Sequence, residues 1–388
     1  MKVGLSMMAK VAAGLLAAFP LLATGEKLSS APVACQAINI RQIKQDSAET
    51  REQCLRAAKQ GDAAGQIYVG AMYHWGIGVD KNIKEAIKWY QKAEKQGYLP
   101  AQYSLGMAYL TKHTDKNFFE IAGSFREIEQ NYKESAKWFT RAAEQGYAPA
   151  QLMLGEAYYS GYGVPVDKEK AMEWLKKAAE QGSIPAQMNL GGSYKDCGRI
   201  AKKKGETDKA AKCFEQSIAW YKKAGEQGDI DALLKLGKMY TADQGVAKDE
   251  AEAMKWYRKA AELGDGLGAF YLAEMYAEGR GVAKDGAEAA EWYKKAAERG
   301  HELSLLILGR MYAKGEGVAK DEAEAAKWFK KAADQGHETT LVQLGQMYVK
   351  GEGGVAKNEV EAEKLFRKAA EQGSGAAKVA LRNMGKAP

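Results

Sequence analysis

The chain has 388 residues, of which 28% are charged and 46% hydrophobic, and it carries 20 Tyr and 8 Trp. So many apolar and aromatic residues exclude large-scale disorder. The formal net charge of +7, or +5 without Lys2 and Lys10, is spread as interleaved Lys and Glu. The one dense basic run, Lys202-Lys203-Lys204, has no aromatics between its lysines, which argues against a nucleic-acid partner.

In chain order, residues 1–25 differ from the rest. Lys2 and Lys10 precede an apolar stretch from Val11 to Leu22, too short to span a bilayer comfortably, and Ala23-Thr24-Gly25 supplies small residues for a cleavage site before Glu26. This predicts a secretory signal peptide cleaved near Gly25, with an uncleaved anchor as the alternative. A lipoprotein site at Cys35 is disfavoured by Pro32-Val33-Ala34 before it. The mature chain is then periplasmic or secreted, with no membrane insertion. Four cysteines remain, Cys35, Cys54, Cys197 and Cys213, an even number that suits disulfides in an exported chain. Residues 26–63 are expected to form an N-terminal cap, fastened by a Cys35–Cys54 bond.

Residues 64–377 contain eight copies of one unit, anchored by Tyr73, Tyr109, Tyr158, Tyr194, Tyr240, Tyr276, Tyr312 and Tyr348. The anchors are 36 residues apart except for 49 after Tyr109 and 46 after Tyr194, so repeats two and four carry insertions. A Trp follows each anchor at a fixed distance once the insertions are counted (Trp89, Trp138, Trp174, Trp220, Trp256, Trp292, Trp328), and the eighth copy has Leu365. Each unit reads as helix A, ending at the anchor Tyr, then helix B, where Ala325, Trp328, Phe329 and Ala332 lie at i, i+3, i+4, i+7 on one face. Asn82, Asn131, Asp167, Asp249, Asp285, Asp321 and Asn358 stand where helix B would be capped. A Gly such as Gly97 or Gly300 always follows helix B, in position to end it in the left-handed conformation. The Gly-x-Gly pairs Gly76/Gly78, Gly161/Gly163, Gly279/Gly281 and Gly315/Gly317 are interhelical turns; no strand precedes them, as a dinucleotide fingerprint would need. Gly106, Gly155 and Gly237 allow close helix approach. Repeat four should extend both helices around Gly205, which places Cys197 and Cys213 side by side, eight residues away on either arm. Ala376 to Met384 should form a final capping helix that runs from the end of the last repeat into a C-terminal cap or tail of residues 378–388. One such unit cannot bury these faces alone, so the fold class is all-α, a solenoid of about eight stacked helix-turn-helix repeats.

The pattern Leu308-Gly309…Tyr312…Gly315-x-Gly317-Val318-x-x-Asp321…Ala325-x-x-Trp328-Phe329-x-Lys331-Ala332-Ala333…Gly336 resembles the Sel-one-like repeat family, a branch of the tetratricopeptide superfamily. Repeats two and four depart from it in the turn. The resemblance implies a right-handed superhelix whose A helices line a concave side, and a role as an adaptor or partner-binding protein. Bacterial members of the family are often exported and act in envelope signalling, host interaction or immunity against secreted effectors.

Helix A has a face that does not repeat. With the anchor Tyr as position nine, positions one, five and nine form the buried face, and four, seven and eleven fall opposite, given about 100° per residue. These positions hold Tyr68, Ala71 and Trp75; Met153, Glu156 and Ser160; Lys235 and Lys238; Tyr271, Glu274 and Glu278; Ile307, Arg310 and Lys314. Aromatics beside charges are the residue types enriched in binding hot spots. Tyr68, Trp75, Met153, Glu156, Lys235, Lys238, Tyr271, Glu274, Ile307 and Arg310 are therefore the candidate contacts with another protein.

No catalytic residues, metal ligands or cofactor are assigned. The four His (His74, His113, His301, His337) include two at equivalent repeat boundaries, and no His-Glu-x-x-His, Gly-x-Ser-x-Gly or phosphate-loop motif occurs. Some cysteine-rich relatives of the family bind or hydrolyse β-lactams, but this chain lacks their cysteine pair in nearly every repeat, and any Ser-x-x-Lys. The sequence favours an exported adaptor, with an immunity protein that neutralises a secreted toxic enzyme as the alternative and a hydrolase a distant third.

Overall fold

The computed structural model describes Cys35 and residues 40–112, 125–241, 247–352 and 355–387. The expected signal peptide, much of the cap segment, most of the insertion in repeat two and the Gly353-Gly354 pair lie outside the described residues.

Among the described residues, nineteen helices and no strands are present. They are α1 (Ile40–Gln45), α2 (Ala48–Lys59), α3 (Ala63–Trp75), α4 (Ile83–Glu94), α5 (Leu99–Thr111), α6 (Phe125–Glu144), α7 (Ala148–Ser160), α8 (Lys168–Glu180), α9 (Ile184–Lys203), α10 (Thr207–Glu226), α11 (Ile230–Thr241), α12 (Glu250–Glu262), α13 (Gly266–Glu278), α14 (Gly286–Glu298), α15 (Glu302–Lys314), α16 (Glu322–Gln335), α17 (Glu338–Lys350), α18 (Glu359–Glu371) and α19 (Gly375–Asn383). The chain divides into two compact units, one ending at Leu190 and one beginning at Gly191. In the first, each helix from α2 to α8 packs on the next in sequence; in the second, the same holds from α10 to α19. This sequential packing is that of an all-α solenoid of helix-turn-helix repeats.

Local chemistry sets where the helices start and stop. The side chains of Asn82, Asp167, Asp249, Asp285, Asp321 and Asn358 each accept a first-turn amide of helix B, for example Glu85 N to Asn82 Oδ1 at 3.0 Å. The backbone amide of each of these residues donates to the anchor Tyr carbonyl, as from Asp321 to Tyr312 at 2.8 Å, which closes the A–B turn. Asn131 does not cap. The insertion continues helix B upstream, α6 already runs from Phe125, and Asn131 is buried within it with no hydrogen-bond partner for Nδ2 among the described residues.

The core differs from the expected one in a particular way. The anchor Tyr residues are only half-buried. The fully enclosed side chain is the one after the Trp position, an aromatic in seven copies and Leu175 in the third: Tyr90, Phe139, Tyr221, Tyr257, Tyr293, Phe329 and Phe366 are each at most 3% exposed. Its ring lies against the small residue of helix A; a Cβ on Gly309 would stand 2.4 Å from the Phe329 ring, and one on Gly106 2.5 Å from Phe139. The Trp itself sits nearer the surface, under a Lys or Arg three residues on, from Lys92 over Trp89 at 3.8 Å to Lys331 over Trp328 at 4.3 Å.

The turn glycines are also contact residues between repeats. Gly281 has φ +69°, and a Cβ there would meet the backbone carbon of Glu250, at the start of the preceding helix B, at 2.6 Å. Gly317, at φ +77°, approaches Gly286 in the same way.

Both cysteine pairs are bonded, Cys35 to Cys54 and Cys197 to Cys213. The second crosses between α9 and α10, each 20 residues long, on either side of a turn at Gly205 with φ +76°.

Candidate partner-binding face

In the first unit, the face is partly covered by the chain's own N-terminal segment. Tyr68 is 1% exposed, in a cluster with Cys35, Ile43 and Cys54, and its hydroxyl donates to Asp46 Oδ2 at 2.7 Å. The expectation that Tyr68 faces solvent is therefore corrected: residues 43–46 lie on it, and helical spacing alone carries no sign of them. Trp75 is half-buried, stacked on His74 with ring centroids 4.5 Å apart. Met153 is also corrected from open to buried, at 8% exposed, packed among Phe139, Leu154 and Tyr103.

Glu156 is half-buried, and Asn189 Nδ2 donates to its carboxylate at 3.2 Å. Burial pushes this carboxyl above the usual range, partly offset by the Asn189 hydrogen bond. The Tyr103 phenol is pushed up by burial and by the Glu156 charge. For an acid raised in the folded state, stability falls as pH climbs from the ordinary value of 4.5 towards the raised one, and stays lower above it. Glu156→Gln is expected to melt higher than the parent near neutral pH and to lose that advantage below the ordinary carboxyl range. A denaturation series against pH checks this; an equal offset at every pH would contradict it.

In the second unit, Lys235 is half-buried and paired with Asp231, whereas Lys238 is exposed, its Nζ 5.3 Å from the Tyr271 ring centre. Tyr271 is half-buried, with its ring 4.8 Å from that of Tyr257. Glu274 accepts a hydrogen bond from the Tyr293 hydroxyl, which ties it to the core aromatic of its own repeat. Ile307 and Arg310 are half-buried, and Arg310 Nε has no partner among the described residues. The structure thus keeps Lys238, Tyr271, Ile307 and Arg310 accessible and gives Glu274 and Lys235 local partners.

Sequence reasoning missed two sets of residues near this face. Asn189 and Tyr103 set the environment of Glu156. Burial, first, and then the charges of Lys235, Arg199 and Lys238 hold the Lys195 ammonium below its usual range. Both sets fall outside the three positions singled out by periodicity, except Asn189, which occupies position four of repeat four.

Among the described residues, no group of three or more His, Cys, Asp or Glu is placed to hold a metal ion, and no helix is long and apolar enough to cross a membrane. His301 stacks on Phe270 with centroids 4.1 Å apart, and His337 Nδ1 lies 2.8 Å from Glu302.

These features define a helical-repeat scaffold. The Sel1 repeat family model matches residues 63–98, 122–147, 148–183, 184–229, 230–265, 266–301, 303–337 and 341–374, so the chain belongs to the Sel1-like repeat family of the tetratricopeptide-like superfamily. It is similar to the Escherichia coli protein c5321, described as a protective antigen present in uropathogenic strains and displaying an SLR fold. That match has 34% identity and a TM-score of 0.59, covering 86% of this chain and 67% of that one. It is also similar to a Sel1 repeat protein from Oxalobacter formigenes, at 28% identity and a TM-score of 0.57, covering 89% of this chain and 93% of that one. A curated relative, DAP3-binding cell death enhancer 1 of Rattus norvegicus, is 43% identical over 49 residues, which is 13% of this chain and 10% of that protein. Sel1 repeats typically mediate protein–protein interaction, and the family is generally non-catalytic. Two disulfide-bonded pairs and bacterial relatives are consistent with an extracytoplasmic protein.

Proposed function

We propose that this chain is an exported, non-catalytic scaffold that captures another protein on the face of its A helices after a signal peptide is removed near Gly25. The observation that carries the reading is a contrast. Capping residues, turn glycines and core aromatics recur from copy to copy, while the face opposite the anchor Tyr changes in every repeat. In the second unit that face offers half-buried Tyr271 and Arg310, of the types that dominate interface energetics, beside half-buried Ile307. Arg310 Nε, buried and without a partner among the described residues, is a donor that a bound acceptor would satisfy.

The test is capture of partners by the mature protein from the extracytoplasmic fraction of its own host. Tyr271→Ala, Ile307→Ala and Arg310→Ala combined are expected to abolish specific capture while leaving the helical circular dichroism intact. Capture that survives these changes, but is lost when the insertion at Lys112–Glu129 is removed, moves the binding site to the insertion of repeat two and ends the helix-A proposal.

A further inference from the structure

The A-helix face of the first unit is almost free of charge. Positions four, seven and eleven of repeats one to three hold nine residues, of which Glu156 on α7 alone is charged. Its carboxylate is also unlike the others of the chain. Every other half-buried glutamate among the described residues has a Lys, Arg or His within ion-pair distance or accepts from Trp or Tyr. Lys88 lies 2.9 Å from Glu85, Arg141 3.8 Å from Glu94 and Lys255 2.8 Å from Glu252. Glu288 accepts from Trp292 Nε1 at 3.2 Å, and Glu274 from the Tyr293 hydroxyl. Glu156 has neither kind of partner. Across from α7, exposed Asn189 on α9 donates Nδ2 to Oε1 at 3.2 Å, and Oε2 has no donor among the described residues. Both residues belong to the first unit.

We propose that Glu156 receives a single basic side chain of the bound protein, a Lys or Arg flanked by uncharged residues. This deepens the partner-binding reading above and rests on it.

Charge complementarity argues for this occupant. A half-buried carboxylate that holds only a neutral amide is incompletely compensated, and a cation placed on Oε2 completes the pair. The preference of the carboxyl for its neutral form agrees: burial raises it and only the Asn189 hydrogen bond lowers it, with no cation contributing. The uncharged flanks follow from the surroundings. Met153 and Ser160 stand one helical turn to either side of Glu156, and Met107 holds the equivalent of its position in repeat two. Tyr103 adds an aromatic wall, with its ring 5.8 Å from Phe139 and 5.6 Å from Tyr147. One carboxylate and one amide are too few ligands for a resident metal ion, and no metal-holding group of acidic, His or Cys residues occurs among the described residues. A nucleic acid is disfavoured, because its phosphates would be repelled by the one charge of this face.

The probe is the fluorescein-labelled, C-terminally amidated peptide Ser-Leu-Leu-Lys-Leu-Leu-Ser, compared with the same peptide carrying norleucine in place of Lys. Both are titrated by anisotropy against the full mature protein in non-reducing buffer. The parent is expected to bind the Lys peptide about tenfold more tightly than the norleucine peptide. Glu156→Gln, which keeps the shape and removes the charge, is expected to bind the two equally. Glu173→Gln, the same change at an exposed helix-B carboxylate of the same repeat, should keep the parental preference. Circular dichroism verifies that both variants are folded. No binding by the parent, equal binding of the two peptides by the parent, a preference that persists in Glu156→Gln, or an equal loss in Glu173→Gln would each overturn the proposal. Where the peptide preference is absent but the Tyr271/Ile307/Arg310 variant loses its captured partner, the Glu156 site is wrong and the scaffold reading stands.

Discussion

Gly281→Ala is expected to destabilise the protein by about 3 kcal/mol, and Gly300→Ala by only about 1 kcal/mol. Both residues have positive φ, +69° and +86°, so any side chain meets the left-handed penalty of ~1–2 kcal/mol. They differ in their surroundings. Nothing lies within 4 Å of a Cβ on Gly300, whereas one on Gly281 would overlap the Glu250 carbonyl group and the Ala251 amide at 2.6 to 2.8 Å. That contact is backbone, so no rotamer change relieves it, and consecutive repeats must separate there. Overpacking of this kind costs a further ~1–3 kcal/mol. Urea denaturation of the two variants checks the difference. Equal losses would mean that the turn glycines serve conformation alone and that the inter-repeat contact is immaterial.

The second large effect concerns Cys197 and Cys213. Replacing both with alanine is expected to cost about 3 kcal/mol, the chain-entropy value for closing a short loop, here with a sequence separation of 16. The loss should be local. Helices α9 and α10 run to 20 residues where most others have 12 or 13, so their ends near Gly205 extend past the length of neighbouring helices. Amide exchange should quicken around Ile200 to Ala210 in the variant and stay near parental values in α16 to α18. A uniform acceleration across the chain would show instead that the bond stabilises the whole array.

Much of the fold is legible in the sequence because each repeat must satisfy the same local demands. Free first-turn amides call for an Asp or Asn cap, a helix end calls for Gly, and the spacing of Trp328, Phe329 and Ala332 marks a buried face. Where those demands are altered by an insertion, the reading fails. Asn131 has the residue type and register of a cap, but six helical residues precede it in α6. The anchor Tyr ring is less buried than its recurrence implies, for a different reason. Regular recurrence signals constraint without saying whether ring or backbone is constrained, and here the backbone carbonyl receives the cap amide while the ring stays half-exposed.

The candidate face was legible only as variation. Tyr271, Ile307 and Arg310 are half-buried and accessible, as helical spacing suggests, yet spacing carries no sign that α1 and Asp46 cover Tyr68, 22 residues from Asp46. Local pattern reports what a residue does within its own turn, and contacts between segments are set by packing that the pattern does not encode.

The bond between Cys197 and Cys213 also alters the covalent topology of the chain. It bridges the two arms of the α9–α10 hairpin below a tip that carries Lys202, Lys203 and Lys204 just before Gly205. A protease cutting after any of these lysines severs the polypeptide but not the molecule, because both new ends stay tethered through sulfur. While the disulfide stays oxidised, such a nick leaves the two pieces covalently joined, and only a reductant lets the residues before the tip part from those after it.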